Sequence, residues 1–214
     1  MRNALLPAGC VVIVGLLSEA ALLPKGTRVV VSGGDVHRLG AMLANLGPDV
    51  TGVLSFGIAG GLAAGLPSGT LVAARQVLHG DRRFVADQAW LDLLTECTAA
   101  RRADIAASDT VLTSATAKAL LHRRTGAIAV DMESGIAAAI AAERSVPFAA
   151  LRAIADRAED AIPEAALCGI NPDGSVAPYR VLAALMRRPH DLSGLIRLGR
   201  ASARAHAVLR HALG

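Results

Sequence analysis

Apolar, β-branched runs recur along the chain at Cys10–Leu17, Thr27–Ser32, Val50–Phe56, Thr70–Val77, Ile105–Ala107, Ala127–Val130 and Pro147–Ile154. Between several of them the apolar residues fall at helical spacing, over Val36–Leu46, Val85–Ala100, Ser114–Arg124 and Met132–Arg144. Asp35 and Ser114 stand at N-cap positions, and Gly47-Pro48 and Gly126 are helix stops. Strand and helix in turn predict an α/β fold with a mixed, largely parallel, twisted sheet flanked by helices. Beyond Arg157 the pattern turns loop-like through Pro163, Pro172-Asp173-Gly174 and Pro178, then closes with two basic helices over 179–214. No linker or low-complexity stretch divides the 214 residues, which are enough for one sizeable core, so 1–214 is read as one domain.

Composition sharpens this picture. Apolar residues make up 53% of the chain but aromatics only 2%, so the core must be aliphatic and built around small residues, which suits helices lying closely on a buried sheet. Cys10, Cys97 and Cys168 have no paired or CxxC spacing, so neither a disulfide framework nor a thiolate metal site is proposed, and a reduced cytoplasmic setting fits best. Leu6-Pro7-Ala8-Gly9-Cys10 loosely resembles a lipoprotein cleavage site. The apolar run, however, follows the cysteine and then meets Glu19, which favours a first buried strand over a signal segment. No other segment offers some 18 uncharged apolar residues in a row, and the chain is read as soluble. The net charge of +4 is unevenly placed: after Pro178 come Arg180, Arg187, Arg188, Arg197, Arg200, Arg204 and Arg210, with Asp191 as the only acid. Without aromatic platforms or a recognition motif, nucleic acid is not an expected partner, whereas peripheral contact with anionic lipid at an inner membrane surface stays open.

Four segments carry candidate chemistry. Ser55-Phe56-Gly57-Ile58-Ala59-Gly60-Gly61 follows a predicted strand, where glycines let the backbone approach a ligand or simply reverse the chain. Ser32-Gly33-Gly34-Asp35 also follows a strand and opens a helix, as an anion site or an ordinary capped turn. Ala129-Val130-Asp131-Met132-Glu133-Ser134 and Leu151-Arg152-Ala153-Ile154-Ala155-Asp156 each deliver carboxylates to the end of a buried strand, where open α/β sheets keep their ligand sites. Taken singly, Glu133 reads equally as an acid at a helix N-terminus and Asp156 as a loop cap. His37, His79 and His122 lack ligand spacing and read as surface residues.

These segments, taken in chain order and preceded by a first strand running into Gly15-Leu16-Leu17-Ser18-Glu19, resemble the purine nucleoside phosphorylase and nucleosidase superfamily. Within it the chain looks most like the hopanoid-associated phosphorylases, linked to removal of adenine from adenosylhopane, through Ser55–Leu62, Val130–Ser134 and Pro147–Arg152 running on to Pro172-Asp173-Gly174. The resemblance implies cleavage of an N-glycosidic bond, with Asp156 protonating or hydrogen-bonding N7 of the purine and Glu133 holding the ribose hydroxyls and its developing cation. It further implies Met132 against the ribose face, Gly57, Ala59, Gly60 and Arg152 at the substrate, and Val111 and Leu112 beside the base, after Asp109. Gly15, Glu19, Gly33 and Gly34 are the candidate phosphate or water site. Asp131 is second to these or a helix N-cap, and Arg152 orients Asp156 or forms a structural ion pair. A free Asp titrates near ~3.9, so Asp156 needs burial to donate a proton at neutral pH.

The chain also departs from the family pattern. Counted from Gly15, the water-activating glutamate of the hydrolytic relatives falls on Ala20, with Glu19 one residue earlier. The Arg and Ser common in phosphorolytic relatives are replaced by Ser55 and Ile58, and Ala155 stands where Ser or Asn is usual. Phosphate is the expected co-substrate, with hydrolysis of methylthioadenosine-type nucleosides or non-catalytic nucleoside binding as alternatives. No metal, nicotinamide or flavin is implied. The expected ligand is a small-molecule or lipid-linked purine nucleoside, and the expected assembly a homodimer or higher homo-oligomer. The polar Gly80-Asp81-Arg82-Arg83 is read as an open loop, and it or the C-terminal helices as the exit for an apolar tail.

Overall fold

The computed structural model describes residues 5–213. Its strands are β1 (Cys10–Val14), β2 (Arg28–Val31), β3 (Gly52–Gly61), β4 (Leu71–His79), β5 (Arg82–Val85), β6 (Arg101–Ala107), β7 (Ala129–Asp131) and β8 (Phe148–Ile154). Its helices are α1 (Leu17–Ala20), α2 (Val36–Ala44), α3 (Gln88–Thr98), α4 (Ala115–Thr125), α5 (Ser134–Glu143), α6 (Glu164–Leu167), α7 (Pro178–Arg187) and α8 (Leu192–Leu213). The strands run β2-β1-β3-β7-β6-β4-β5, and β8 bridges β3 and β4, so that β3, β7, β6, β4 and β8 pair in a closed ring. The β1·β2, β1·β3, β3·β8, β4·β6 and β6·β7 pairs are parallel, and β3·β7, β4·β5 and β4·β8 antiparallel. The sheet is thus mixed and mostly parallel, as the alternation of strand and helix predicts.

Alternation along each central strand sorts its residues onto two cores. Val11, Ile13, Val53, Ala150 and Ile154 face α2 and α5, with Leu39, Leu43, Ala137, Ala138 and Ala141. Cys10, Val12, Val14, Leu54, Phe56 and Leu151 face Trp90, Leu91 and Leu94 of α3 and Ala205, Leu209 and Leu213 of α8. The alanines of α5 let that helix lie close to the sheet, which is how so aliphatic a chain fills its interior. Asp35 accepts from the Arg38 N–H (2.9 Å), Ser114 from the Ala117 N–H (3.2 Å), and Gly126 ends α4 at φ +71°.

Several sequence expectations need correction. The first strand stops at Val14, because the Gly15 and Leu16 N–H groups turn to the Glu19 carboxylate (2.8 and 2.9 Å) and start α1. Ser55–Gly61 is not a turn but the second half of β3, whose backbone is held by β8 up to Ala59↔Ile154 and by β7 at Gly60↔Val130. Strand β6 begins at Arg101 rather than Ile105, since its two leading arginines point outward while their backbone stays in register with β4. Gly80-Asp81-Arg82-Arg83 is no open loop. It closes an antiparallel hairpin in which Arg82 and Arg83 pair with His79 and Leu78. Within the stretch read as loop-like, Glu164–Leu167 forms the single-turn α6. Residues 1–4 of the N-terminal expectation lie outside the described residues.

Candidate active site

Strands β1, β3 and β8 run parallel, and β7 ends beside the far part of β3, so four strand ends gather their side chains in one place. A cavity of about 460 Å³ opens there. Gly15, Glu19, Gly34, Ala59, Gly60, Val111, Leu112, Met132, Glu133 and Asp156, all anticipated from sequence, line it. Gly57, Gly33 and Arg152 do not, which corrects their reading as ligand contacts. Gly57 (φ +147°) lies behind the wall, where any side chain would strike the Glu19 carboxyl. A side chain on Gly33 would run into the Pro172 carbonyl. Arg152 is fully buried beneath the cavity floor.

The floor is an ion cluster. Arg152 projects from β8 toward α5, with Nε 2.5 Å from Asp131 Oδ2 and Nη2 3.4 Å from Glu133 Oε2. Its Nη2 also donates to Ser55 Oγ at 2.5 Å. Asp131 accepts from the Ser134 N–H (3.1 Å), and the Ser134 hydroxyl donates to it as well, so Asp131 both caps the start of α5 and anchors Arg152. The sequence alternative that Arg152 orients Asp156 is not what the fold builds. Its partners are Asp131 and Glu133. Glu133 makes no cap hydrogen bond to α5 and instead accepts from Ser32 Oγ at 3.0 Å. Its carboxyl is pushed up to about 7, chiefly by burial, with Asp131 and Glu19 adding repulsion against the pull of Arg152. Glu19 is also buried; besides the Gly15 and Leu16 amides it takes the Ile58 N–H at 2.7 Å. A side chain on Gly15 would press on both Glu133 and Glu19, so the two carboxylates are neighbours across that glycine.

The opposite wall holds Asp156, one residue past the Ala155 amide that donates to Ala59 O (2.8 Å). Gly60 leaves room for its carboxylate, whose oxygens lie 3.4 and 3.6 Å from where a Cβ would stand. Its partner is Lys118, the one buried side chain of α4, which is only 1% exposed. The Lys118 ammonium donates to Asp156 Oδ2, to Arg157 O (2.8 Å) and to Asp160 O (2.8 Å), so all three of its protons are used. Burial raises the Asp156 pKa and Lys118 opposes that rise. Sequence reasoning missed Lys118. Its signal is faint but present: it is one of two lysines in a chain with twenty arginines, on a helix otherwise without a buried face. Asp109 stands outside this set and pairs with His79 (3.0 Å), while His122 Nδ1 lies 2.7 Å from Ala127 O. Both rings are therefore partly buried and partnered rather than free surface residues.

Chemically, the cavity sets a carboxyl with a raised pKa at one wall and a cluster of three carboxylates around a single arginine at the floor. That arrangement suits a bond whose cleavage sends negative charge one way and positive charge the other, because preformed charges act on charge that develops in the transition state. A larger hollow of about 610 Å³, lined by Arg157, Arg197, Arg200 and Arg204, contains none of these groups.

An α/β enzyme with a carboxylate-lined cleft at its strand ends is the class this fold and site define. Residues 26–169 match the family model described as Phosphorylase superfamily, and the chain belongs to that family. It is accordingly an enzyme of the nucleoside phosphorylase or nucleosidase kind. The fold is similar to that of the 5′-methylthioadenosine/S-adenosylhomocysteine nucleosidase from Neisseria meningitidis in complex with methylthio-immucillin-A. That match has 18% identity and a TM-score of 0.67, and covers 95% of this chain and 97% of that one. S-adenosylhomocysteine nucleosidase from Streptococcus pyogenes, in complex with 5-methylthiotubericidin, matches at 16% identity and TM-score 0.66, covering 95% of both chains. Futalosine hydrolase of Helicobacter pylori matches at 22% identity and TM-score 0.57, over 69% of this chain and 87% of that one. No curated protein matches the chain.

Proposed function

We propose that the protein releases adenine from a purine nucleoside carrying a large apolar group at its 5′ carbon, with adenosylhopane, the nucleoside suggested by the resemblance of its motifs to the hopanoid-associated phosphorylases, as the leading candidate. The observation that carries this reading is the shape of the cavity's lining. Beyond the carboxylates it continues past Ile162, Leu167, Ile170, Val176 and Leu198, an apolar path with Leu167, Ile170 and Val176 exposed at its outer end. In this reading Asp156 serves the departing base and Glu133 the sugar, with Met132 beside the ribose and Val111 and Leu112 beside the purine.

Two observations favour water over phosphate as the nucleophile. The amides of the candidate anion site are already engaged: Gly15 N–H with Glu19, Gly33 N–H with Gly15 O (3.0 Å) and Gly34 N–H with Ser32 Oγ (3.1 Å). In addition, Glu19, Asp131 and Glu133 outnumber Arg152, so an arriving phosphate would meet like charge in a dry site. Glu19, set beside Glu133 at the cavity floor, is the group suited to orient and deprotonate water.

The test is adenine release from adenosylhopane, adenosine and methylthioadenosine, each with and without phosphate. Release without phosphate, fastest from the lipid nucleoside and lost in Glu19→Ala, is the expected result. Strict phosphate dependence would reverse the choice of nucleophile. Absence of release from every nucleoside, or an Asp156→Asn variant as fast as the parent, would remove the mechanism.

A further inference from the structure

The segment that frames the cavity mouth is unusual in its own right. Among the described residues, twelve large apolar side chains are markedly exposed, and eight of them lie between Leu167 and Ile196. Such clustering, rather than scatter, marks a surface that meets something. Helix α7 is the centre of it, and none of its ten residues is buried. Val181, Ala184 and Leu185 rest half-buried on the body, while Tyr179 (65% exposed), Leu182 (61%) and Met186 (80%) form a stripe at i, i+3 and i+7 on the outer face. Arg180 and Arg187 lie along one edge of that stripe, exposed, with the Arg180 guanidinium 5.8 Å from the Tyr179 ring centre. An apolar stripe edged by arginines, on a helix of low net hydrophobicity, is the build of a helix that lies in a membrane interface. It is not a span, since no helix among the described residues is long and apolar enough to cross a membrane.

Charge decides between a bilayer and a second copy of the chain. From Pro178 to Leu213 there are seven arginines and one acid, Asp191. A twofold contact through α7 would bring this basic patch against its own copy, with no acid on α7 to offset Arg180 and Arg187. Anionic headgroups complement them. We propose that α7 docks on an anionic lipid surface, with Tyr179, Leu182 and Met186 inserted and Arg180 and Arg187 on lipid phosphates. The cavity mouth at Leu167, Ile170 and Val176 then opens against the bilayer. The docking stands on α7 alone; its use, to admit a lipid-linked nucleoside without passage through water, rests on the function proposed above.

The experiment is co-sedimentation of the full chain with phosphatidylcholine vesicles, with and without phosphatidylglycerol, over a salt series. The parent should sediment with the phosphatidylglycerol vesicles at low salt and be released by added salt. Replacing both arginines (Arg180→Gln, Arg187→Gln) should lower partitioning roughly thirty-fold, at about fivefold per charge. Leu182→Asp with Met186→Asp should lower it at least about tenfold. None of the four side chains lines the cavity, so adenine release from a soluble nucleoside and the melting temperature should stay at parent values. A parent that remains in the supernatant at low salt, or Asp variants that bind like the parent, would overturn the proposal. So would a parent dimer that Met186→Asp dissociates, since the stripe would then belong to a second copy. Vesicle binding by a protein that releases adenine from no nucleoside would uphold the docking and remove the enzymatic reading alone.

Discussion

Replacing Lys118 by methionine isolates one buried charge pair. Lys118 and Asp156 are both enclosed, and the ammonium donates only to Asp156, Arg157 O and Asp160 O. Methionine keeps the side-chain volume and removes the cation, which leaves a buried carboxylate and two carbonyls without their donor. Breaking a buried pair from one side costs roughly 3–5 kcal/mol, and the lower end applies because Asp156 can take up a proton instead of staying charged. At about 2–4 °C per kcal/mol for a domain of this size, the melting temperature should fall by roughly 6–12 °C. The deficit has a pH signature. Burial already raises the Asp156 pKa against the pull of Lys118; without Lys118 it rises further above the unfolded value. The native variant then holds a proton that the unfolded chain has released, so its deficit should shrink toward acid and grow as pH rises. Thermal melts across pH, followed by the fluorescence of Trp90, the single and buried tryptophan, read this directly. Asp156→Asn in the Lys118→Met background should recover part of the loss, because it removes the orphaned charge. A variant melting within about 2 °C of the parent would refute the pair's role, as would a double mutant whose loss is the plain sum of the single ones.

Glu133→Gln should lower turnover roughly 10²–10³-fold by removing charge that faces the developing sugar cation, measured as adenine release. The same substitution should stabilise the fold relative to the parent as pH climbs from about 4.5 to about 7, because across that window the unfolded chain has lost the proton that native Glu133 still holds. Melting curves of both proteins at the two ends of the window check the sign, and a constant difference would refute it. Gly57→Ala combines a φ of +147° with a Cβ driven into the Glu19 carboxyl, and should cost about 1–3 kcal/mol. It should also lower kcat more than it raises KM, since Glu19 loses its seat on the Ile58 amide while the nucleoside walls stay intact.

Much of this was legible in the sequence where one residue's chemistry sufficed. Continuous apolar runs gave the buried strands, Asp35, Ser114 and Gly126 gave helix ends, and the carboxylates past β7 and β8 gave the two walls of the cavity. What sequence reasoning could not see was pairing across the fold. Gly57–Gly61 looked like a turn because glycines commonly make one; the ladders to β7 and β8 hold it extended, and its glycines instead admit Glu19 and Asp156 to the backbone. Arg152 lies four residues before Asp156, a spacing that suggests partnership. Arg152 lies within β8 and Asp156 beyond its end, however, so the spacing does not fix a common face, and Arg152 turns toward Ser55, Ser134 and Asp131. Lys118 carried no local mark beyond its rarity, since its role exists only once α4 is laid against the 156–160 loop.

The division of charge within the cavity follows the reaction better than any single residue does. In the proposed reading the sugar side is where Asp131 and Glu133 pair with Arg152 and Glu19 lies close by, so carboxylates outnumber the arginine before any ligand arrives, and burial, reinforced by Asp131 and Glu19, holds the Glu133 pKa up. On the base side Asp156 is matched by Lys118 in a closed, balanced pair. A neutral nucleoside gains little from either. In the proposed reaction, as the glycosidic bond stretches, the ribose becomes cationic over the crowded side and the base becomes anionic beside Asp156, whose pKa burial raises toward proton donation against the pull of Lys118. On the sugar side that displacement relieves repulsion already present in the folded protein, and stabilisation that appears only as the bond breaks lowers the barrier without tightening the ground state. The same surplus repels an anionic nucleophile. The proposed choice of water thus rests on the same surplus of carboxylates that suits a developing sugar cation.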